Sequence, residues 1–219
     1  MLSTTVSCVG FRGACIALAV FLIAAAPACP AWAQTPTVTQ IEEDWELVIG
    51  APSPSADAPQ VTTLISPLGN VDSLYATFVV NHHDAPAYKA GGLQLQVWDG
   101  EDLLVSRLFP NQALLATPGE TIRWTQVMRE TNDGMVFEII NGSSTTWGNF
   151  GDEGTLKATL PTSLANLNGY SPDVSVENSG VNYAANRVQS LVLKRVRAYT
   201  ATDEIIEDAT PRTVHTLNE

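Results

Sequence analysis

The chain has 219 residues, with 23 Asp and Glu against 11 Lys and Arg, a formal net charge of −12 and 45% apolar residues. Such an acid excess repels phosphate backbones and argues against a nucleic-acid partner. All three cysteines (Cys8, Cys15, Cys29) fall in the first 29 residues, so thiolate metal sites and a disulfide framework are excluded from the rest.

Arg12 is the only charged residue before Glu42. An apolar run from Gly13 to Ala26 follows it, then Pro27, then Ala31-Trp32-Ala33. A basic start, a short apolar middle and a small-x-small end read as a secretory signal peptide over 1–33, cut after Ala33. The apolar run is shorter than the roughly 20 residues of a spanning helix, so no stable membrane span is expected. Cys29 follows Ala26-Pro27-Ala28, a poor setting for lipid modification. Removing 33 of the 219 residues leaves 186 without cysteine and moves the net charge from −12 to −13. The expected location is periplasmic, cell-surface or extracellular.

A short segment over 34–41 leads into a series of strands. Asp44 to Ile49 begins by alternating polar with apolar. Gly50 to Pro59 reads as a loop, Val61 to Ser66 as a strand stopped by Pro67, and Gly69-Asn70 as a turn. Leu74 to Val80 is β-branched and aromatic, hence a strand. Asn81 to Gly92 is a loop holding His82-His83-Asp84. Leu93 to Trp98 alternates cleanly, with Leu93, Leu95 and Val97 on one face and Gln94, Gln96 and Trp98 on the other. Asp99-Gly100 turns it into a partner strand over Leu103 to Leu108.

Thr121 to Arg129 and Met135 to Ile140 form a second hairpin across Thr131-Asn132-Asp133-Gly134. Asn141-Gly142 is expected to turn the chain toward Thr145-Thr146-Trp147. Leu156 to Leu160 is a strand, Ser163 to Tyr170 one helical turn, and Val174 to Val176 extended. Val188 to Tyr199 is a long closing strand. The acidic segment 200–219 is expected to be a loosely docked tail, with Glu204 to Glu207 adding a turn of helix. Turn signals recurring every 8–12 residues with almost no helix argue an all-β, antiparallel sandwich or barrel over 42–199.

The order of Leu93 to Gly100, Glu120 to Val127, Asp133 to Gly142 and Ser190 to Tyr199 resembles the concanavalin-A-like, laminin-G-like jelly-roll β-sandwiches. The resemblance implies a central-Trp strand, a glycine-turned hairpin and a last strand lying beside the first. It also implies comparison with that family's enzymes. The jelly-roll alginate lyases carry a Gln-x-His pair, where this chain has Gln94-Leu95-Gln96. Tyr88-Lys89-Ala90-Gly91 matches their late Lys-Ala-Gly segment in type but sits mid-chain, and Glu177 to Tyr183 falls where that segment belongs. Without the histidine, a base for proton removal next to a uronate carboxyl is missing. The family's retaining glucanases place carboxylates on a Glu-x-Asp-x-x-Glu strand. Glu42-Glu43-Asp44 are consecutive and cannot all share a face.

Gln94, Gln96 and Trp98 form the leading candidate binding surface. Amides bond sugar hydroxyls and an indole stacks on a pyranose, although a solvated sheet face carries polar residues without any ligand. Glu177, Asn178, Asn182 and Tyr183 are candidates to line a groove, or else a hydrogen-bonded turn. Asn149, Asp152 and Glu153, interleaved with Gly151 and Gly154, supply the oxygen ligands a calcium loop uses, and a plain loop explains them too. Trp45, Trp124 and Trp147 read as packing residues.

The expected function is an exported, non-catalytic module that binds glycan or an extracellular protein surface through one sheet face. No cofactor is required, and calcium is the one ion the chain invites. The alternatives are a polysaccharide lyase or glycoside hydrolase on the same fold, and a structural or interaction domain of an envelope or matrix.

Overall fold

The computed structural model describes residues 35–51, 59–82, 91–113, 115, 117–152 and 154–217. The expected signal segment, His83 and Asp84, Tyr88 to Ala90, and Glu153 lie outside them. Thr35–Glu219 is a compact unit, and every residue of the apolar core falls within it.

Thirteen strands, one short α-helix and one 3-10 turn at Ala185–Arg187 are found among the described residues. In chain order they are β1 (Val38–Ile49), β2 (Gln60–Ile65), β3 (Leu74–His82), β4 (Gly91–Asp99), β5 (Asp102–Ala113), β6 (Thr121–Thr131) and β7 (Gly134–Ser144). Next come β8 (Gly148–Phe150), β9 (Lys157–Leu160), α1 (Pro172–Glu177), β10 (Gly180–Tyr183), β11 (Val188–Thr200), β12 (Ile205–Asp208) and β13 (Arg212–Thr216).

Two antiparallel sheets pack as a β-sandwich. The larger runs β12-β11-β1-β6-β7-β8, with β13 also on β11 and β9 also on β7. The smaller runs β10-β2-β3-β4-β5. The inner faces follow the alternation in the sequence. Ile41, Trp45, Leu47 and Ile49 of β1 and Leu93, Leu95 and Val97 of β4 are buried in the core. Aromatic rings span the gap between sheets. Trp45 and Trp124 stack at 6.4 Å, and Phe78 of the smaller sheet meets Trp124 edge-on at 5.5 Å and Phe150 at 6.1 Å. Such contacts add to the burial of large apolar surfaces.

Four local expectations are overturned, each for a physical reason. Asn141-Gly142 is not a turn but an irregularity inside β7, where the register with β6 shifts between Arg123 and Thr125. Asn141 has φ of 54°. A positive φ suits Asn in a bulge as well as in a turn. A side chain at position 142 would strike the Phe150 ring, so glycine lets that ring lie on the backbone. The turn comes instead at 145–147.

Val174 to Val176 is helical, not extended, and no helix forms over 163–170. Pro172 at the first helical turn and Asp173 behind it favour a helix start. The buried Ser175 hydroxyl, bonded to Glu43, then holds the helix against the sandwich despite its valines. The tail is neither frayed nor helical. β12 pairs with Val196 to Tyr199 and β13 with Ser190 to Leu193. Together they cover the side of β11 that β1 leaves open, sparing a long strand edge.

Trp124→Ala is expected to cost about 3–5 kcal/mol of stability, the range for truncating a large core aromatic. Urea unfolding followed by circular dichroism measures it. A loss under about 1 kcal/mol would show that the stacked pair does not anchor the sandwich.

Candidate functional site

The predicted surface of Gln94, Gln96 and Trp98 occupies the outer face of the smaller sheet. Their backs carry the core residues Leu93, Leu95 and Val97, so the strand has no freedom to turn them inward. Cross-strand register sets their neighbours. Trp98 lies opposite Tyr75, Gln96 opposite Thr77 and Gln94 opposite Val79 on β3. On β5, Gln96 faces Ser106 and Gln94 faces Leu108. The Tyr75 and Trp98 rings are parallel within 9° at 6.5 Å, and the Tyr75 hydroxyl donates to the Gly100 carbonyl at 3.1 Å. Gln94 donates from Nε2 to Ser106 Oγ at 3.0 Å. Its Oε1 is buried without a hydrogen-bond partner.

The later candidates divide. Asn182 joins the same face, because its Nδ2 donates to Thr62 Oγ1 at 2.8 Å and Thr62 is paired with Val79. Tyr183 lies opposite Gln60 on β10. Glu177 and Asn178 are exposed at the end of α1, where Asn178 Nδ2 donates back to the Val174 carbonyl at 2.8 Å. That bond closes a helix end and does not join the aromatic pair. Of the calcium candidates, Asn149 is exposed on β8, and Asp152 accepts from the Asn141 amide at 2.8 Å. Among the described residues, no three His, Cys, Asp or Glu side chains gather as a metal site would need.

Taken by position, Thr62, Tyr75, Thr77, Gln94, Gln96, Trp98, Ser106 and Asn182 make an outer face of amides, hydroxyls and paired rings. None of its outward positions on β2, β3 and β4 is charged, in a chain of net charge −12. A surface of this kind offers donors and acceptors beside a flat apolar patch.

The larger sheet has the opposite character. β1 points Glu43 inward and Glu42, Asp44 and Glu46 outward. Reading Glu42-Glu43-Asp44 as a consecutive triplet missed that Glu46 continues the alternation, so three carboxylates share a face. The Glu-x-Asp-x-Glu spacing was the available signal. These acids meet bases from both neighbours. Arg197 bonds Glu42 at 2.9 Å, Arg195 bonds Asp44 at 2.6 Å, and Arg123 bonds Glu46 at 2.7 Å. Partial burial pulls the Glu46 carboxyl upward, but the Arg123 bond and the Lys194 and Arg123 charges outweigh it and hold it below the ordinary value. An open concavity of about 610 Å³ lies over Asp44 and Glu46.

Inside, Glu43 is fully buried. It accepts hydrogen bonds from Trp45 Nε1 at 3.0 Å, Tyr170 OH at 2.8 Å and Ser175 Oγ at 2.6 Å. Burial drives its pKa up to about 7 against those bonds and the Arg212 charge. Burial also raises the Tyr170 pKa, with the Glu43 charge adding to it. A second buried acid, Glu120, accepts from the Ser144 hydroxyl and from Thr146 Oγ1 at 2.6 Å. It secures the turn between β7 and β8.

Among the described residues no helix is long and apolar enough to cross a membrane. No protein-family model matches the chain, and no curated protein matches it.

Glu43 should make stability depend on pH. The folded state holds the proton up to about pH 7, and the unfolded state releases it near 4.5. Stability from this group is therefore full below pH 4.5 and falls as pH rises to about 7, by about 3 kcal/mol. Glu43→Gln should remove that slope and gain on the wild type toward alkaline pH. Urea titrations from pH 4.5 to 8 measure the difference. A constant difference between the two proteins would contradict the assignment.

Proposed function

We propose that the protein is an exported, non-catalytic β-sandwich module of the concanavalin-A-like jelly-roll kind. It binds a neutral glycan on the outer face of the smaller sheet. The observation that carries this reading is the parallel Tyr75 and Trp98 pair set among amides and hydroxyls. A pyranose presents one apolar face and a rim of hydroxyls. The rings suit the first, and Gln96, Thr77 and Asn182 suit the second. Kinship with the jelly rolls is supported by β11 lying antiparallel beside β1. Export rests on the character of residues 1–33.

A glycoside hydrolase is the second reading, favoured by the row of Glu42, Asp44 and Glu46, of which Asp44 and Glu46 line the concavity on the larger sheet. Retaining hydrolysis needs one carboxyl protonated and another ionised about 5–5.5 Å away. Here each of the three is ion-paired, and the arginine and lysine around Glu46 oppose its protonation. A lyase fares no better on the smaller sheet, because Gln94 and Gln96 cannot take up a proton.

Isothermal titration with neutral oligosaccharides, chosen from a glycan array, tests the proposal. Binding should survive high salt, since no charge contacts the ligand. Trp98→Ala should weaken it by about tenfold or more, and Gln96→Ala by less. Reducing ends should not appear in the same mixtures. Silence across the array, or binding indifferent to Trp98→Ala, would defeat the glycan assignment.

A further inference from the structure

We propose that the concavity on the outer face of the larger sheet is a second binding site, for a saccharide bearing carboxylate or sulfate groups. Of the chain's 11 Lys and Arg, six (Arg123, Arg129, Lys157, Lys194, Arg195 and Arg197) point outward from this one sheet.

Depth sets two of the acids below three of the bases. The side chains of Asp44 and Glu46 are 21% and 20% exposed, whereas those of Arg123, Lys194 and Arg195 are 60%, 46% and 39% exposed. Asp44 and Glu46 form the floor beside the deeper Arg197, and the three bases stand at the surface, with Glu207 the one acid beside them, 3.6 Å from Arg195. Arg197 bridges Glu42 and Asp44, Arg195 lies between Asp44 and Glu207, and Arg123 is held by Glu46 along one edge only. Arg123 gives both Nε and a terminal nitrogen to the same oxygen of Glu46, at 2.9 and 2.7 Å. Its remaining N–H groups point elsewhere, already oriented, which lowers the ordering cost of a further charge-assisted bond.

Size and neutral lining narrow the ligand class. About 610 Å³ falls within the range of small-molecule sites and suits a short saccharide. Thr125, Asn141 and Ser143 line the same concavity and match sugar hydroxyls. A nucleic acid fits less well, because its closely spaced phosphates would lie over the acidic floor of an acidic chain. The site is separate from the uncharged face on the other sheet. Its chemistry also differs, since it is sensitive to salt where the other is not.

The test titrates Thr35–Glu219 with a carboxylated oligosaccharide, a sulfated one, their neutral counterpart, and an oligonucleotide of equal charge. Each titration is run at low salt and at about 1 M salt, where the Debye length falls to about 3 Å. At least one acidic saccharide should bind at low salt and be lost at high salt. The carboxylated and sulfated arms tell which anion the site prefers. Arg123→Ala and Lys194→Ala should each weaken binding by about tenfold, with circular dichroism unchanged. Trp98→Ala should leave it intact, so failure here is distinct from failure on the uncharged face. The proposal is overturned if neither acidic saccharide binds, if the oligonucleotide binds as well, or if Trp98→Ala rather than Arg123→Ala abolishes binding.

Discussion

β1 lies between β6 and β11 at the centre of the larger sheet, and successive side chains of a strand must point to opposite faces. Its residues therefore enter two unlike environments by turns. Ile41, Trp45, Leu47 and Ile49 go to the core, with Glu43 among them. Glu42, Asp44 and Glu46 go to the outside. A slip of one residue would bury three carboxylates and expose four large core side chains, so the register is fixed at high cost to any alternative. The rest follows from that register. The outward acids draw Arg195 and Arg197 from one neighbour and Arg123 from the other. The inward acid draws Tyr170 and Ser175, which bring the segment around α1 to the side of the sandwich.

The two outer faces differ because their central strands differ. On β4 the outward positions carry Gln94, Gln96 and Trp98, and no neighbour opposite them is charged. On β1 every second residue from 42 to 46 is an acid. The chain has thus set rows of acids and bases on the outer face of one sheet and left the outward positions of β2, β3 and β4 in the other uncharged. A sandwich keeps the two apart, because a packed core about 10 Å thick lies between them.

Much of this was legible beforehand. The alternation of Leu93 to Trp98 gave both the strand and its inward and outward sets, and Asp99-Gly100 gave its turn. The closing strand from Val188 was equally clear. What failed were segments whose conformation is decided by distant partners. Val174 to Val176 has strand-like valines, yet a buried hydroxyl contact from Ser175 to Glu43, 132 positions away, holds it helical. Ile205 to Asp208 and Arg212 to Thr216 are short and polar, and only the open edge of a 13-residue strand makes them pair. Asn141-Gly142 carried a true signal for positive φ that does not distinguish a bulge from a turn. On the site, Tyr75 was missed because its partnership with Trp98 depends on register between strands. The row of Glu42, Asp44 and Glu46 was missed because attention to the consecutive acids hid the alternate ones.

The central claim is that the neutral face of the smaller sheet is the glycan-binding surface. Amide chemical-shift mapping of isotopically labelled Thr35–Glu219 during titration with a neutral oligosaccharide tests it most directly. Shifts should cluster at Tyr75, Thr77, Gln94, Gln96 and the Trp98 backbone and indole, leaving Asp44, Glu46 and Arg195 still. Shifts centred on β1 and β11, or none at saturating ligand, would contradict it.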